Sequence, residues 1–112
     1  MVVLVEGLKK LGRASAIVRM NTGTEPQFYA GYFFKAFFQA KWRTALERAE
    51  ANPFGAGAWL FIGRRYKKGD EVRALLEGAG ITPTVVFVKD HPPDGKYLAG
   101  GYDIAIGIGE RP

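Results

Sequence analysis

The chain has 112 residues, of which 47% are hydrophobic and 24% charged, and it carries a formal net charge of +5. This composition predicts one folded domain spanning residues 1–112 and excludes a disordered tail. The chain has no cysteine, which excludes disulfides, thiolate zinc sites and cysteine nucleophiles. No signal peptide or membrane-spanning run is recognisable, so we expect a cytoplasmic protein without a membrane role.

The first predicted elements are two strands and a long helix. Residues 2–5 and 15–20 are short apolar, β-branched runs, and the basic turn at residues 8–13 would join them as a hairpin. A capping-box pattern at Thr24 then begins a helix. We expect this helix to extend to about residue 51, because the next residue precedes Pro53 and proline disfavours helix in the residue before it.

Four further elements complete the predicted domain. Residues 58–63, 84–88 and 102–108 have the apolar composition of strands, and residues 70–79 have the apolar spacing of one helix face. The predicted order is β-β-α-β-α-β-β. Helical connections imply a parallel core of the second, third and fourth strands, and the last strand should run antiparallel. The predicted fold class is therefore α/β, a single small domain with a mixed five-stranded sheet and two helices.

The aromatic segment 28–42 has two apolar stripes at helical spacing. Because the stripe of Phe34, Phe38 and Trp42 continues further along the chain, we expect it to face the core. The second stripe, Tyr29, Phe33 and Phe37, would then form an exposed aromatic patch of the kind that marks an interface. This patch predicts a homodimer. Burial of the patch beneath a loop and base stacking on nucleic acid are the alternatives.

A basic loop follows the strand at residues 58–63 and precedes a helix. Its cations are the first candidates for binding phosphate, because free N–H groups and the helix dipole at a helix start add to their charge. With Lys96 in a later loop, the candidate anion-binding residues are Arg64, Arg65, Lys67, Lys68 and Lys96. In the alternative interpretation, the loop is solvated and its cations pair with the acids that follow it.

A group of acids with the single histidine supplies weak catalytic candidates: Asp90, His91, Asp94 and Asp103. Carboxylates beside an imidazole favour a hard divalent cation such as Mg²⁺, and metal beside basic residues suits phosphodiester cleavage. A polar turn, in which the acids bond to backbone, is the favoured interpretation. We therefore assign no metal ligand and no cofactor, and Mg²⁺ enters only with the nuclease alternative.

Three functions are compatible with these features of the sequence. The first is a basic, oligomeric binding module that engages nucleic acid through the loop at residues 64–68. The second is a metal-dependent nuclease or phosphohydrolase, so whether the protein is an enzyme stays open. The third is a structural or assembly protein that uses the aromatic helix as its interface. The chain has few side-chain amides, which indicates either a thermophile or a genome of biased composition.

Overall fold

The computed structural model describes residues 2–49, 54–88 and 101–109. Within these ranges the chain forms three helices and five strands. In chain order they are α1 (Val2–Lys10), β1 (Ser15–Met20), α2 (Thr24–Gln39), β2 (Arg43–Arg48), β3 (Ala58–Ile62), α3 (Gly69–Gly78), β4 (Thr84–Phe87) and β5 (Ile104–Ile108).

The five strands form one mixed sheet in the order β2-β1-β5-β3-β4. Strand β1 runs parallel to β2 and to β5, and β3 runs parallel to β4 and antiparallel to β5. The predicted α/β class and mixed five-stranded sheet are therefore confirmed. The last strand runs antiparallel to β3 and β4, as predicted, but parallel to β1. The described ranges contain three helices rather than two, because one predicted strand is a helix.

All three helices contribute buried side chains to the main core on one side of the sheet. Helix α2 lies over β1 and β2, and α1 contacts both α2 and α3. Alternate residues of the central strands point into this core, as the two-residue repeat of a strand requires. The largest fully buried side chains are Phe33, Phe37, Leu4, Leu8, Leu60, Leu76, Ile104, Ile106, Val18 and Val72.

A second, smaller cluster lies on the other face of the sheet, which we call the open side. Phe54 is a member of this cluster, and the buried side chain of Asn21 bonds to both of its backbone polar groups. The Asn21 Nδ2 donates to the Phe54 carbonyl at 2.8 Å, and the Phe54 N–H donates to Asn21 Oδ1 at 3.2 Å. The Phe54 ring consequently lies over Gly107 of β5.

The prediction of a strand at residues 2–5 is wrong, because this segment belongs to helix α1. Leu4, Val5 and Leu8 are buried against the main core at helical spacing. Helix α1 approaches α3 so closely that a Cβ at Gly7 would overlap the Leu75 side chain. A short valine-rich run fits either a strand or a buried helix, and here tertiary packing decides for the helix.

The long predicted helix is also wrong beyond Gln39. Lys41 adopts a left-handed backbone conformation with a φ of 68°, which ends α2 without a glycine or proline to signal it. Residues 43–48 then pair with β1 as strand β2. Because β2 completes one strand–helix–strand unit, β3 is free to begin a second unit in the opposite direction. The predicted parallel alignment of β1 with β3 is therefore wrong.

Within α2 the two aromatic stripes have roles opposite to those predicted, although Trp42, which was expected to face the core, is buried in it. Phe33 and Phe37 are fully buried, while Phe38 is 64% exposed and Phe34 is half-buried. Tyr29, the third residue of the predicted interface, is 39% exposed. Since α2 ends at Gln39, the greater length of the Phe34–Phe38 stripe that indicated a core face does not exist. The predicted exposed patch of Tyr29, Phe33 and Phe37 is corrected to a core face with Tyr29 at its margin.

Candidate nucleic-acid interface

One end of the sheet collects the first residues of three strands and the last residues of two. Strands β1, β2 and β5 begin there, and β3 and β4 end there, because these two run the opposite way. The N–H of Arg43 donates to the Ala14 carbonyl at 3.0 Å, and the N–H of Gly63 donates to the Asp103 carbonyl at 2.8 Å. We call this end the basic end, for the side chains described next.

The loop after β3 packs against the end of α1. The Lys68 ammonium donates to the carbonyl of Leu11 at 2.7 Å. The Trp42 indole N–H donates to the carbonyl of Leu8 at 3.3 Å, and the ring of Tyr66 meets that indole edge-on at 6.0 Å. These contacts join three segments that are distant in sequence and fix the basic loop beside the C-terminus of α1.

Cations from all these segments converge at the basic end. Lys9 and Lys10 occupy the last turn of α1, where positive charge is stabilised by the negative end of the helix dipole. More than half of the chain's 16 lysine and arginine residues lie in the segments that meet here. They are Lys9, Lys10, Arg13, Lys41, Arg43, Arg64, Arg65, Lys67 and Lys68. The acids of the same segments are fewer: Glu6, Asp70, Glu71 and Asp103.

The structure brings together four of the five sequence-predicted anion-binding residues. Arg64, Arg65, Lys67 and Lys68 lie in one loop and are all exposed. Lys96 lies outside the described residues. Sequence reasoning missed the contribution of residues 9–13. Their basic character was recognised, but only the helical form of α1 places them beside the loop after β3.

Arg43 is held at the start of β2 by contacts with the segment before β5. Its guanidinium lies 4.4 Å from the centre of the Tyr102 ring, and it donates to the Gly101 carbonyl at 3.3 Å. A cation over an aromatic face is attracted by the negative charge density of the ring. Arg43 is thus oriented by its neighbours while it remains exposed.

Asp103 is the only described residue of the weak catalytic candidates, and its hydrogen bonds join the segment before β5 to the start of β1. Its carboxylate oxygen Oδ2 accepts from the Ser15 N–H at 2.9 Å and from the Ser15 hydroxyl at 3.1 Å. The Ser15 hydroxyl oxygen also accepts from the Asp103 N–H at 2.9 Å. Asp90, His91 and Asp94 lie outside the described residues. Within the part of the chain that the structure describes, no cluster of three or more potential ligands is arranged to hold a metal ion.

The region that Asn21 to Thr24 occupy is separate from the basic end. The predicted parallel alignment of β1 with β3 would place these residues on the same rim as the loop after β3. Because β1 and β3 are antiparallel in direction, β1 ends at the opposite edge of the sheet. The basic end therefore contains the start of β1, at Ser15, and not its end.

Beneath the basic end lies the hydroxyl of Tyr66, which is buried and has no hydrogen-bond partner among the described residues. Burial, together with the negative charges of Asp103 and Glu71, raises the pKa of Tyr66 from 10.0 to about 12. The folded state therefore favours the neutral hydroxyl. The stability that this contributes is fully present below pH 10 and is lost between pH 10 and about pH 12.

We expect the free energy of unfolding of Tyr66→Phe to fall less between pH 10 and about pH 12 than that of the unaltered protein. The variant has no group at this position to ionise, and it also removes a buried hydroxyl that has no partner among the described residues. At neutral pH the variant should therefore be as stable as the unaltered protein or more stable. Urea denaturation at several pH values measures both effects. If the free energy of unfolding declined equally in the two proteins between pH 10 and about pH 12, the Tyr66 hydroxyl would have the same pKa in the folded and unfolded states, which would contradict this prediction.

Comparison of the chain with protein-family models, with curated proteins and with solved structures found no match in any of the three. None of the helices within the described residues is both long and apolar enough to cross a membrane.

Proposed function

We propose that this protein is a small binding module that engages the phosphate backbone of a nucleic acid through its basic end. The proposal is supported by one observation above others. The loop at residues 64–68 and the C-terminal turn of α1 are held side by side by the Lys68–Leu11 bond. Two basic segments then act as one surface, and clustered lysine and arginine on one face is the electrostatic footprint of nucleic-acid binding.

The charge of this surface is available to a ligand. Arg65 and Lys67 are exposed, and neither forms an ion pair with any residue of the described ranges. The exposed pair of Lys9 with Glu6, at 3.4 Å, is of the kind that contributes little and exchanges readily for another anion. Phosphates could therefore replace the present solvent without removal of a buried partner. The bound protein would recognise charge and not base sequence, because backbone contacts carry no sequence information.

The test is fluorescence anisotropy with labelled single- and double-stranded oligonucleotides across a salt series. The variant Arg65→Ala/Lys67→Ala removes two charges from the basic end. The control Arg48→Ala/Arg73→Ala removes the same net charge from exposed positions elsewhere. We expect the first variant to bind duplex about tenfold or more weakly and to flatten the salt slope by about 0.9 for each phosphate that it no longer neutralises.

The control should bind like the unaltered protein. Equal weakening in both variants would mean that binding follows net charge without a defined surface. No binding at low salt in the unaltered protein would overturn the proposal. The nuclease alternative stays a prediction that depends on residues outside the described ranges. Addition of Mg²⁺ or Mn²⁺ to the same reactions, followed by analysis of oligonucleotide length, tests it directly.

We further propose that the domain self-associates, as the exposed apolar side chains on α2 suggest. This part of the proposal is independent of nucleic acid, and a monomeric protein could bind phosphate through the basic end alone. The third function, an assembly protein without a nucleic-acid role, would follow if self-association were found and binding were not.

A further inference from the structure

Strand β2 is an edge strand of the described sheet, with only β1 beside it. The N–H groups of Arg43 and Ala49 donate inward, to the carbonyls of Ala14 and Met20. Because backbone groups of alternate residues in a strand point to opposite sides, the N–H and C=O groups of Thr44, Leu46 and Arg48 point away from the sheet. An edge of this kind is a ready template for another strand.

The side chains of β2 differ between its two faces. Pairing with β1 places Thr44 and Leu46 on the helix side, opposite Ala16 and Val18, and it places Ala45 on the open side, opposite Ile17. By the same alternation Arg43 and Glu47 lie on the open side. Leu46 is 42% exposed, so an apolar side chain faces solvent at the edge on the helix side.

Helix α2 adds two aromatic rings near this edge. Phe34 and Phe38 are stacked, with ring centres 5.9 Å apart and planes inclined by 17°. They lie on the flank of α2 opposite Tyr32, which packs against the main core. Because α2 covers β1 and β2 and has α1 on its inner side, the flank with Phe34 and Phe38 faces outward over β2. The edge of the sheet and these rings form one surface.

We infer that this surface binds a second copy of the same chain, with the two β2 strands antiparallel about a two-fold axis at Ala45. This inference deepens the self-association proposed above by naming its surface. In this register Arg43 lies opposite Glu47 of the partner subunit, and the symmetry repeats the pair. Thr44 and Leu46 would exchange backbone hydrogen bonds with Leu46 and Thr44 of the partner subunit.

The charge pattern selects this register among those that an antiparallel pair allows. Side chains directly opposite each other share a face, so a two-fold axis can be centred on any one residue of the strand. Centring on Ala45 matches opposite charges twice. A centre at Arg43 or at Glu47 places like charges opposite each other, which is destabilising. A centre at Thr44 places Arg43 opposite Ala45, and a centre at Leu46 places Glu47 opposite Ala45, so neither forms the charge pair.

A second copy fits this surface better than an unrelated peptide, because the strand is complementary to itself. An isologous contact uses the same patch on both subunits, and closed two-fold dimers are the commonest oligomers. The same axis would also bring the Phe34–Phe38 stacks of the two subunits to the same side of the joined sheet. Their exposed apolar area would then be covered together with Leu46.

The decisive experiment is sedimentation equilibrium over protein concentrations from micromolar to near-millimolar. We expect the unaltered protein to dimerise. Glu47→Arg places two arginines opposite each other in each pair and should weaken dimerisation about 100-fold or more. The exchange Arg43→Glu/Glu47→Arg should restore it, since opposite charges face each other again. Circular dichroism confirms that each variant is folded.

A backbone test uses a matched pair at one position. Leu46→Pro removes an N–H that points outward and places the proline ring where the partner strand would lie, a position that an edge strand tolerates. Leu46→Val retains the N–H. Glu47→Arg also removes an ion pair within one chain, between Arg19 and Glu47 at 3.7 Å. The two Leu46 variants leave this ion pair intact. We expect the proline variant to be monomeric and the valine variant to dimerise.

The possible results separate this inference from the broader proposals. If neither Glu47→Arg nor Leu46→Pro weakened the dimer, the assignment of the dimer contact to β2 would be overturned, while self-association would still hold. A dimer broken by Glu47→Arg but not restored by the charge exchange would overturn the register. A monomer at every concentration would overturn self-association itself, and the nucleic-acid proposal would still be decided by anisotropy alone.

Discussion

Phe37→Ala is expected to destabilise the domain by about 3–5 kcal/mol, whereas Phe38→Ala should change its stability by less than about 0.5 kcal/mol. The two residues are adjacent in the sequence and identical in chemistry. Phe37 is completely buried and packs against Trp42, with ring centres 5.1 Å apart, while Phe38 is 64% exposed. Truncation at position 37 removes apolar packing and leaves a cavity. Truncation at position 38 removes a ring that is mostly in contact with water and that stacks on the half-buried Phe34 at the surface.

Urea denaturation measures this difference, at a protein concentration where light scattering shows a monomer. Working with the monomer matters because Phe38 belongs to the surface that we assign to a second copy. The adjacent variant serves as the control for helix propensity, since both replace phenylalanine by alanine within α2. An equal loss of stability in the two variants, or a larger loss for Phe38→Ala, would contradict the assignment of the core face.

Gly109→Ala is the second substitution for which we expect a large effect, a loss of about 1–3 kcal/mol or more. A Cβ at Gly109 would overlap the backbone carbonyl oxygen of Gly55. Backbone cannot move aside as a flexible side chain does. The segment that holds Gly55 is also fixed at two points, by the Asn21–Phe54 bonds and by the Gly109 N–H, which donates to the Gly57 carbonyl at 2.9 Å.

Gly31→Ala is the matched control. This glycine lies within α2, its backbone does not require a left-handed conformation, and a Cβ there would meet no atom within 4 Å. Alanine in a helix interior is favoured over glycine by roughly 0.5–1 kcal/mol, so the control should stabilise the domain. Thermal unfolding of both variants gives the comparison. A Gly109→Ala protein that melts no lower than the unaltered one would contradict the close approach of the two segments.

Elements with an unambiguous repeat were predictable from the sequence. Helix α3 begins and ends within one residue of its prediction, because Val72 and Leu76 mark its buried face and acids mark its first turn. The apolar runs of β1, β3 and β4 also occur where they were expected.

The remaining errors have two physical sources. Residues 2–5 are too short a run for periodicity to distinguish a strand from a buried helix. The end of α2 depends on Lys41 in a left-handed conformation, which an ordinary residue adopts without any local signal. Because the prediction lacked β2, it took β3 as the second strand of the unit that begins with β1. It therefore assigned β1 and β3 the same direction, although they run in opposite directions.

The candidate site was predictable in its residues but not in its extent. The four cations at 64–68 stand out in the sequence, and all four lie in one exposed loop of the structure. Their association with Lys9, Lys10 and Arg13 depends on the Lys68–Leu11 bond and on the helical form of α1. No sequence spacing encodes that bond, because 57 residues separate its two partners.

The central position of β5 has a consequence for how the chain folds during synthesis. Of the five strands within the described residues, β5 is the last to be made, yet it lies between β1 and β3 and joins the two strand–helix–strand units. Until it arrives, β1 and β3 each have an unpaired side. The contact of Ser15 with Asp103 closes a separation of 88 residues. Such long-range closure slows folding, and the nascent chain would expose two inner strand edges that the finished domain conceals.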